Sequence, residues 1–381
     1  MGYFFVLGAT LALIGLVVGL REELRLAVDV GKVLAVAVSY EEESESSGRS
    51  IVDVTYRSRT GHLIPADLYV PTEDVDRPAL IFVNGVEVTG RRHPLLMAIA
   101  ARFAHAGFVV LAPEQQGNEQ YRLMKSDPAA LVAGFEFLAT RPEVDPRRIA
   151  YFGVSTGGSL ALVAAADPKI ADRVSFVATL GSYYSLATLL QAVTTGAITE
   201  GGRTYPYEPH QYVWGVARNT LITQLADVED QRKLFRVFAG PTRNPDPRAL
   251  AHVELDTMSA AGRAVFDLFM NRDPALAPYF VRRVDAHLPG SLDAVSPLAV
   301  ADRIRADVRM LHDIGDPYIP RSESRRMLRR LGAPQATLTE TDVLAHALFD
   351  EIDPSPQVLL GKFAPGLWAV FRFTFLALHG L

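Results

Sequence analysis

The sequence predicts an α/β fold, a mainly parallel eight-stranded sheet with helices on both faces, and three observations carry that expectation. Short apolar runs alternate with segments of helical spacing, as βαβ units require. A serine flanked by glycines closes one of those runs and opens a small-residue helix. The chain has no cysteine, so neither disulfides nor thiolate metal sites organise it. With 381 residues, of which 49% are apolar and 21% charged, a large core is within reach. The net charge of −5, with both signs interspersed, supplies no nucleic-acid surface.

From the N-terminus, Tyr3 to Leu20 is apolar apart from Thr10 and glycines. As a helix it would extend roughly 27 Å, enough to cross a bilayer core. No basic residue precedes it and no Ala-x-Ala site follows before Arg21, which favours a retained membrane helix over a cleaved signal. Packing against protein is the alternative. Arg21 and Arg25 follow the run, so the positive-inside rule places the rest of the chain on the cytosolic side. Leu26 to Tyr40 carries Asp29 and Lys32 and reads as an interfacial or docking helix. Residues 1–40 therefore form a membrane-associated segment, and Glu41 to Ser50, reading EEESESSGRS, an acidic linker.

Residues 51–381 hold the alternating pattern. Ile51 to Tyr56 and His62 to Val70 read as an antiparallel hairpin at a sheet edge. A strand follows at Ala79 to Val83, a helix through Leu96, Ile99, Ala100 and Phe103, and a strand at Phe108 to Leu111. Asp127 and Pro128 read as the N-cap and first turn of a helix to about Thr140, and Arg148 to Phe152 as the next strand. A further helix and strand end near Leu180. From about Tyr183 to Val300 the alternation stops, and this stretch reads as a helical cap insertion. It resumes with strands at Val308 to His312 and Ala336 to Thr341 around a helix from Ser322 to Leu331, closed by a C-terminal helix within Leu367 to Leu381.

Gly153-Val154-Ser155-Thr156-Gly157-Gly158 follows the Arg148 to Phe152 strand, the setting of a nucleophile elbow. There the serine occupies a strained turn, and Gly153 and Gly157 are small so that strand and helix can close around it. A serine nucleophile needs a base and an acid to orient it, which in such a sheet follow in the order serine, acid, histidine at the ends of late strands. Asp316, in the loop after the strand through Leu311, is the expected acid, with Asp313 as the alternative. His346, beyond the last strand, is the expected base. His312 sits on a strand, His379 in the terminal helix, and His93 precedes the serine. Backbone N–H groups of Thr156 and of Val86, after Asn84-Gly85, are the expected oxyanion donors. No metal-ligand spacing occurs, so neither metal nor cofactor is required. Tyr205, Tyr207, Tyr212, Trp214, Phe266 and Phe269 are candidates for an apolar pocket under the insertion.

These residues resemble the α/β-hydrolase superfamily from about Ile51 onward, apart from the insertion. Val144-Asp145-Pro146-Arg147-Arg148-Ile149 leading into the serine motif is similar to the dienelactone hydrolase and prolyl-oligopeptidase-like branches. The resemblance implies ester, thioester or peptide hydrolysis through an acyl-enzyme and selects no substrate; the aromatic pocket candidates point to a small-molecule or lipid-like carboxylic ester with a hydrophobic acyl or alcohol part. Peptidase or acyltransferase action with the same triad is the alternative within this chemistry. A non-catalytic, membrane-tethered scaffold is the alternative outside it. Two positions depart from the family pattern: Asn84-Gly85 replaces the frequent His-Gly, and Asp313 replaces the glycine after the strand histidine. The sequence leaves the oligomeric state open.

Overall fold

The computed structural model of the chain describes residues 50–71, 76–346, 348–349, 369–370 and 372–374. The expected membrane helix, the docking helix, nearly all of the acidic linker and most of the C-terminal run lie outside the described residues. Ser50, assigned above to the linker, already opens the first strand. Among the described residues, no helix is long and apolar enough to cross a membrane.

The sheet has eight strands in the order β1-β2-β4-β3-β5-β6-β9-β10. They span Ser50–Arg57 (β1), Leu63–Val70 (β2), Arg77–Val83 (β3), Val109–Pro113 (β4), Val144–Val154 (β5), Val174–Leu180 (β6), Asp307–Asp313 (β9) and Ala336–Thr341 (β10). Strand β2 runs antiparallel to both β1 and β4, and the remaining pairs are parallel. Central parallel strands are covered on both faces and so read as continuous apolar runs. In β3, Ala79, Ile81 and Val83 join one core while Leu80 and Phe82 join the other. Helices α2 (Asp127–Ala139) and α3 (Thr156–Ala165) cover the first core; α1 (Pro94–His105) and the helical residues Val370 and Phe373 cover the second.

Between β6 and β9 lie six helices: α4 (Leu186–Thr195), α5 (Gln211–Ile222), α6 (Val228–Val237), α7 (Pro247–Ala251), α8 (Ala260–Met270) and α9 (Ala277–His287). The insertion also contains a hairpin that the sequence reading missed, β7 (Ala197–Glu200) with β8 (Arg203–Pro206). Its signal was Gly201-Gly202, whose φ angles of 57° and 77° suit a two-residue hairpin turn. The α10 helix (Ser322–Leu331) follows β9.

Asp127 departs from its expected role. Ser126 occupies the N-cap position without a side-chain cap bond, and Asp127 is buried in the first turn, accepting the Met124 N–H at 2.9 Å. Burial pushes its carboxyl up to about 7. A folded-state value above the unfolded one contributes stability that is complete at acid pH and is lost as pH rises through about 7. Asp127→Asn keeps an acceptor for Met124 and cannot ionise. It is expected to melt a few degrees above the parent chain near pH 8 and level with it near pH 4. Equal melting temperatures at both pH values contradict this account.

Candidate active site

Strand β5 ends at Val154 and α3 begins at Thr156, so the whole turn falls on Ser155, at φ 56° and ψ −130°. Such angles are costly for any residue with a side chain and persist only where the surroundings enforce them. Here the Ser155 N–H donates to the Leu180 carbonyl at 2.7 Å. The flanking glycines are required by close approach. A Cβ on Gly153 would strike the backbone of Gly158, and one on Gly157 would strike the carbonyls of Val83 and Asn84 at the end of β3. The expected elbow geometry is therefore present at the C-terminal edge of the sheet, with the Asn84-Gly85-Val86 loop pressed against it.

The loop after β9 and the turn after β10 bring Asp316 and His346 together. His346 Nδ1 lies 2.6 Å from Asp316 Oδ2, and the other carboxylate oxygen accepts the N–H groups of Tyr318 at 2.8 Å and Ile319 at 3.0 Å. Burial alone would raise the Asp316 carboxyl. The charge of His346 and the hydrogen bonds from His312 and His346 outweigh burial and hold it well below the usual carboxylate range. The group therefore stays ionised across the neutral range.

Asp313, the alternative acid, is committed elsewhere. Its oxygens accept Gly315 N–H at 2.7 Å and Leu344 N–H at 3.1 Å. It braces the two loops and leaves His346 to Asp316.

His312, read from the sequence only as a strand histidine, supports this pair, as do Gly181, Tyr318 and His210, which the sequence reading did not single out. His312, fully buried on β9, donates from Nε2 to the Ile319 carbonyl at 2.8 Å and accepts the Ser324 hydroxyl at Nδ1, 2.6 Å away, which closes the acid loop on itself. Gly181, directly after β6, has φ 60°, and a Cβ there would come within 3.0 Å of the His346 ring and 3.2 Å of Asp316. Tyr318 stacks on His346 with ring centroids 4.7 Å apart and planes 24° apart, and His210 stacks on Tyr318 at 4.4 Å. A glycine immediately after an apolar strand was the available signal for Gly181. A stacked ring leaves no spacing pattern.

The two expected oxyanion donors lie side by side, with a difference. The Val86 N–H donates to the Thr156 hydroxyl at 3.0 Å, so Val86 faces the elbow through Thr156 and not directly. The loop itself is pinned from β3 and β4: Asn84 Nδ2 donates to the Gly90 carbonyl at 2.8 Å, and Gln115 Nε2 to the Asn84 carbonyl.

Ser155, Thr156, Val86 and His346 line one cavity of about 330 Å³. Its walls are mostly aliphatic and aromatic, with Glu87, His93 and His210 among the polar residues, and among the described residues no lysine or arginine lines it. Of the six aromatic residues expected to form this pocket, Tyr212 alone lines it. Trp214 packs edge-on against Phe238 and Phe269, 6.0 and 5.0 Å away, and with Phe266 they belong to the core that covers one sheet face. Tyr205 is exposed. The Tyr207 hydroxyl donates to the carbonyls of Pro317 and Tyr318, at 2.9 and 3.0 Å, and so ties the insertion to the acid loop. The aromatic part of the lining comes instead from Phe82, Phe103, Phe152 and Phe373, with Tyr318 beside His346.

The strand order, the antiparallel second strand and the serine elbow after the fifth strand define the α/β-hydrolase fold, and the Ser155, His346 and Asp316 constellation resembles its serine hydrolases. No family model matches the chain. Two proteins of Mycobacterium tuberculosis strains, each provisionally named a phosphoribosyl transferase, are 29% identical to it over 150 residues, 37% of this chain and 33% of theirs. The match thus spans a third of the length of those relatives. A puromycin-hydrolysing peptidase of Mycobacterium tuberculosis aligns over 87% of this chain and 40% of its own, at 17% identity and a TM-score of 0.48. A dienelactone hydrolase of Anabaena variabilis aligns over 86% and 96%, at 14% identity and a TM-score of 0.43. An α/β hydrolase of a Penicillium species aligns over 86% and 97%, at 18% identity and a TM-score of 0.48. The fold assignment rests on the strand order and elbow of this chain itself.

Removing the ring that supports His346 tests the arrangement. Tyr318→Leu is expected to slow covalent labelling of Ser155 by a fluorophosphonate about fivefold, since a stacked ring contributes on the order of 1 kcal/mol. Tyr318→Phe keeps the ring and should label at the parent rate. Equal labelling by both variants contradicts a positioning role for the ring.

Proposed function

We propose that the chain is a serine hydrolase that cleaves a carboxylic ester with a hydrophobic acyl or alcohol part through an acyl-enzyme. The observation that carries this reading is that Ser155 and His346 line one largely apolar cavity, with Asp316 bonded behind the imidazole at 2.6 Å.

In this mechanism, His346 takes the proton of the Ser155 hydroxyl as the oxygen attacks the ester carbonyl. Asp316, which keeps its charge, accepts the Nδ1–H bond and stabilises the imidazolium. Collapse of the tetrahedral intermediate breaks the bond to the alcohol, which leaves with the proton from His346. Water then repeats the sequence on the acyl-serine and releases the acid. The developing oxyanion is held by the Thr156 N–H at the start of α3, where unpaired helix N–H groups favour negative charge. The Thr156 hydroxyl, already accepting from Val86, turns its own proton toward the same oxygen, so Val86 acts through it.

Peptide cleavage and acyl transfer would use the same steps. The apolar walls support an ester with a greasy portion over a peptide, whose amides would need partners along the cavity. Phosphoribosyl transfer, suggested by the names of the two mycobacterial relatives, would bring a pyrophosphate into the site. Among the described residues no lysine or arginine lines the cavity to pair with that charge.

Hydrolysis of p-nitrophenyl esters from acetate to long acyl chains is the direct test. The parent chain should turn them over, with rates rising toward longer chains, and Ser155→Ala should lose on the order of 10⁴-fold. Labelling of Ser155 by a fluorophosphonate without any ester turnover would sink the substrate assignment, and no labelling at all would favour a non-catalytic scaffold. In the same series, Thr156→Ser should stay within a few-fold of the parent and Thr156→Val should lose on the order of 10²-fold in kcat. A Thr156→Val rate equal to the parent rate removes the hydroxyl from the mechanism.

A further inference from the structure

We infer that the substrate carries an apolar group on each side of its scissile carbonyl, a conclusion that rests on the ester-hydrolase reading above and narrows it. The cavity walls belong to two different cores. Ile99 and Phe103 of α1, with Phe152, Leu344, Val370 and Phe373, belong to or pack on the core of one sheet face. Leu186, Leu190 and Val193 of α4, with Val213 and Val216 of α5 and Leu123, belong to or pack on the core of the other.

The sheet itself separates those two cores. A single cavity that touches both must pass over the sheet edge, and it does so at the C-terminal end of β5, where Ser155 stands. A cavity walled by both cores has two arms, and Ser155, Thr156 and His346, which also line it, stand at the sheet edge where those arms would join. A carbonyl held at the join presents its acyl chain to one arm and its alcohol to the other. A substrate with an apolar acyl group and a small polar alcohol would leave one apolar arm filled with water. Among the described residues neither arm offers lysine or arginine to pair with an anionic headgroup. The helical spacing in each wall explains how the arms arise. Leu186, Leu190 and Val193 fall on one face of α4, Val213 and Val216 on one face of α5, and Ile99 and Phe103 on one face of α1. Each stripe serves as a wall on its cavity side, while the neighbouring turns anchor it to its own core.

The test is a grid of neutral, unbranched esters in which the acyl and alcohol chains are lengthened independently, assayed with the parent chain, Ile99→Trp and Val216→Trp. The parent kcat/KM should rise about fourfold per methylene along both axes until each arm is full, the ratio expected for moving one CH₂ out of water. Each tryptophan narrows one arm, so Ile99→Trp should flatten one axis only and Val216→Trp the other only. A parent rate that rises along one axis alone overturns the two-armed site, as do variants that flatten the same axis. The parent grid decides the matter even if a tryptophan variant fails to fold. Fluorophosphonate labelling of Ser155 with turnover of p-nitrophenyl acetate separates the two claims. If both persist while the grid is flat, the two-armed site fails alone; if both are lost in the parent chain, the hydrolase reading fails with it.

Discussion

The backbone at Ser155 turns at φ 56° and ψ −130°, and the rest of the site is arranged around that turn. A strand can feed a helix so abruptly only if the two come nearly into contact, which leaves no room for side chains at Gly153 and Gly157. The same closeness presses the end of β3 against the elbow and sets the Val86 N–H 3.0 Å from the Thr156 hydroxyl. One backbone constraint thus sets a serine at the sheet edge, starts α3 at the next residue, and brings the Asn84-Gly85-Val86 loop beside it. The two apolar arms meet there because the elbow lies where the cavity crosses from one core to the other.

The second half of the site depends on a buried charge and the groups that keep it in place. Asp316 is 5% exposed, and an isolated carboxylate so buried would be neutral. Two histidines and two backbone N–H groups reverse that tendency. His312 does not face the cavity, yet it holds the acid loop through Ile319 and so fixes the direction from which Asp316 meets His346. His346 itself has φ 67° in a short turn, and its placement relies on Asp316, the Tyr318 ring and the space that Gly181 leaves. The insertion reaches the same loop through Tyr207 and His210, so the cover of the cavity and the support of the base share anchors.

Much of this was legible in the sequence because the governing signals are local. Parallel strands announce themselves as apolar runs, and the helix Ser322 to Leu331 and the strand Ala336 to Thr341 have the expected bounds. Glycine spacing around Ser155 marks a steric requirement, and chain order singled out Asp316 and His346, which the structure places in contact. What stayed hidden depends on contacts between distant segments. Asp313 and Asp316 are three residues apart in one loop, and only the N–H groups of Gly315 and Leu344 show that Asp313 is engaged. Aromatic residues of the insertion drew attention as pocket candidates, yet on α5 Trp214 turns to Phe238 and Phe269 while its neighbours Tyr212 and Val213 line the cavity. The leucines and valines that wall the arms look like any core residues in a sequence. The apolar stretch from Tyr3 to Leu20 lies outside the described residues, and its reading as a membrane helix rests on composition alone.

Covalent chemistry at Ser155 is the central claim, and trapping the intermediate tests it most directly. Rapid mixing with a long-chain p-nitrophenyl ester, acid quenching within the first turnover and peptide mass analysis should find one acyl group on the peptide containing Ser155. Its appearance should match a burst of p-nitrophenol. Turnover without an acyl group on that peptide, or with the acyl group on another residue, would contradict the account.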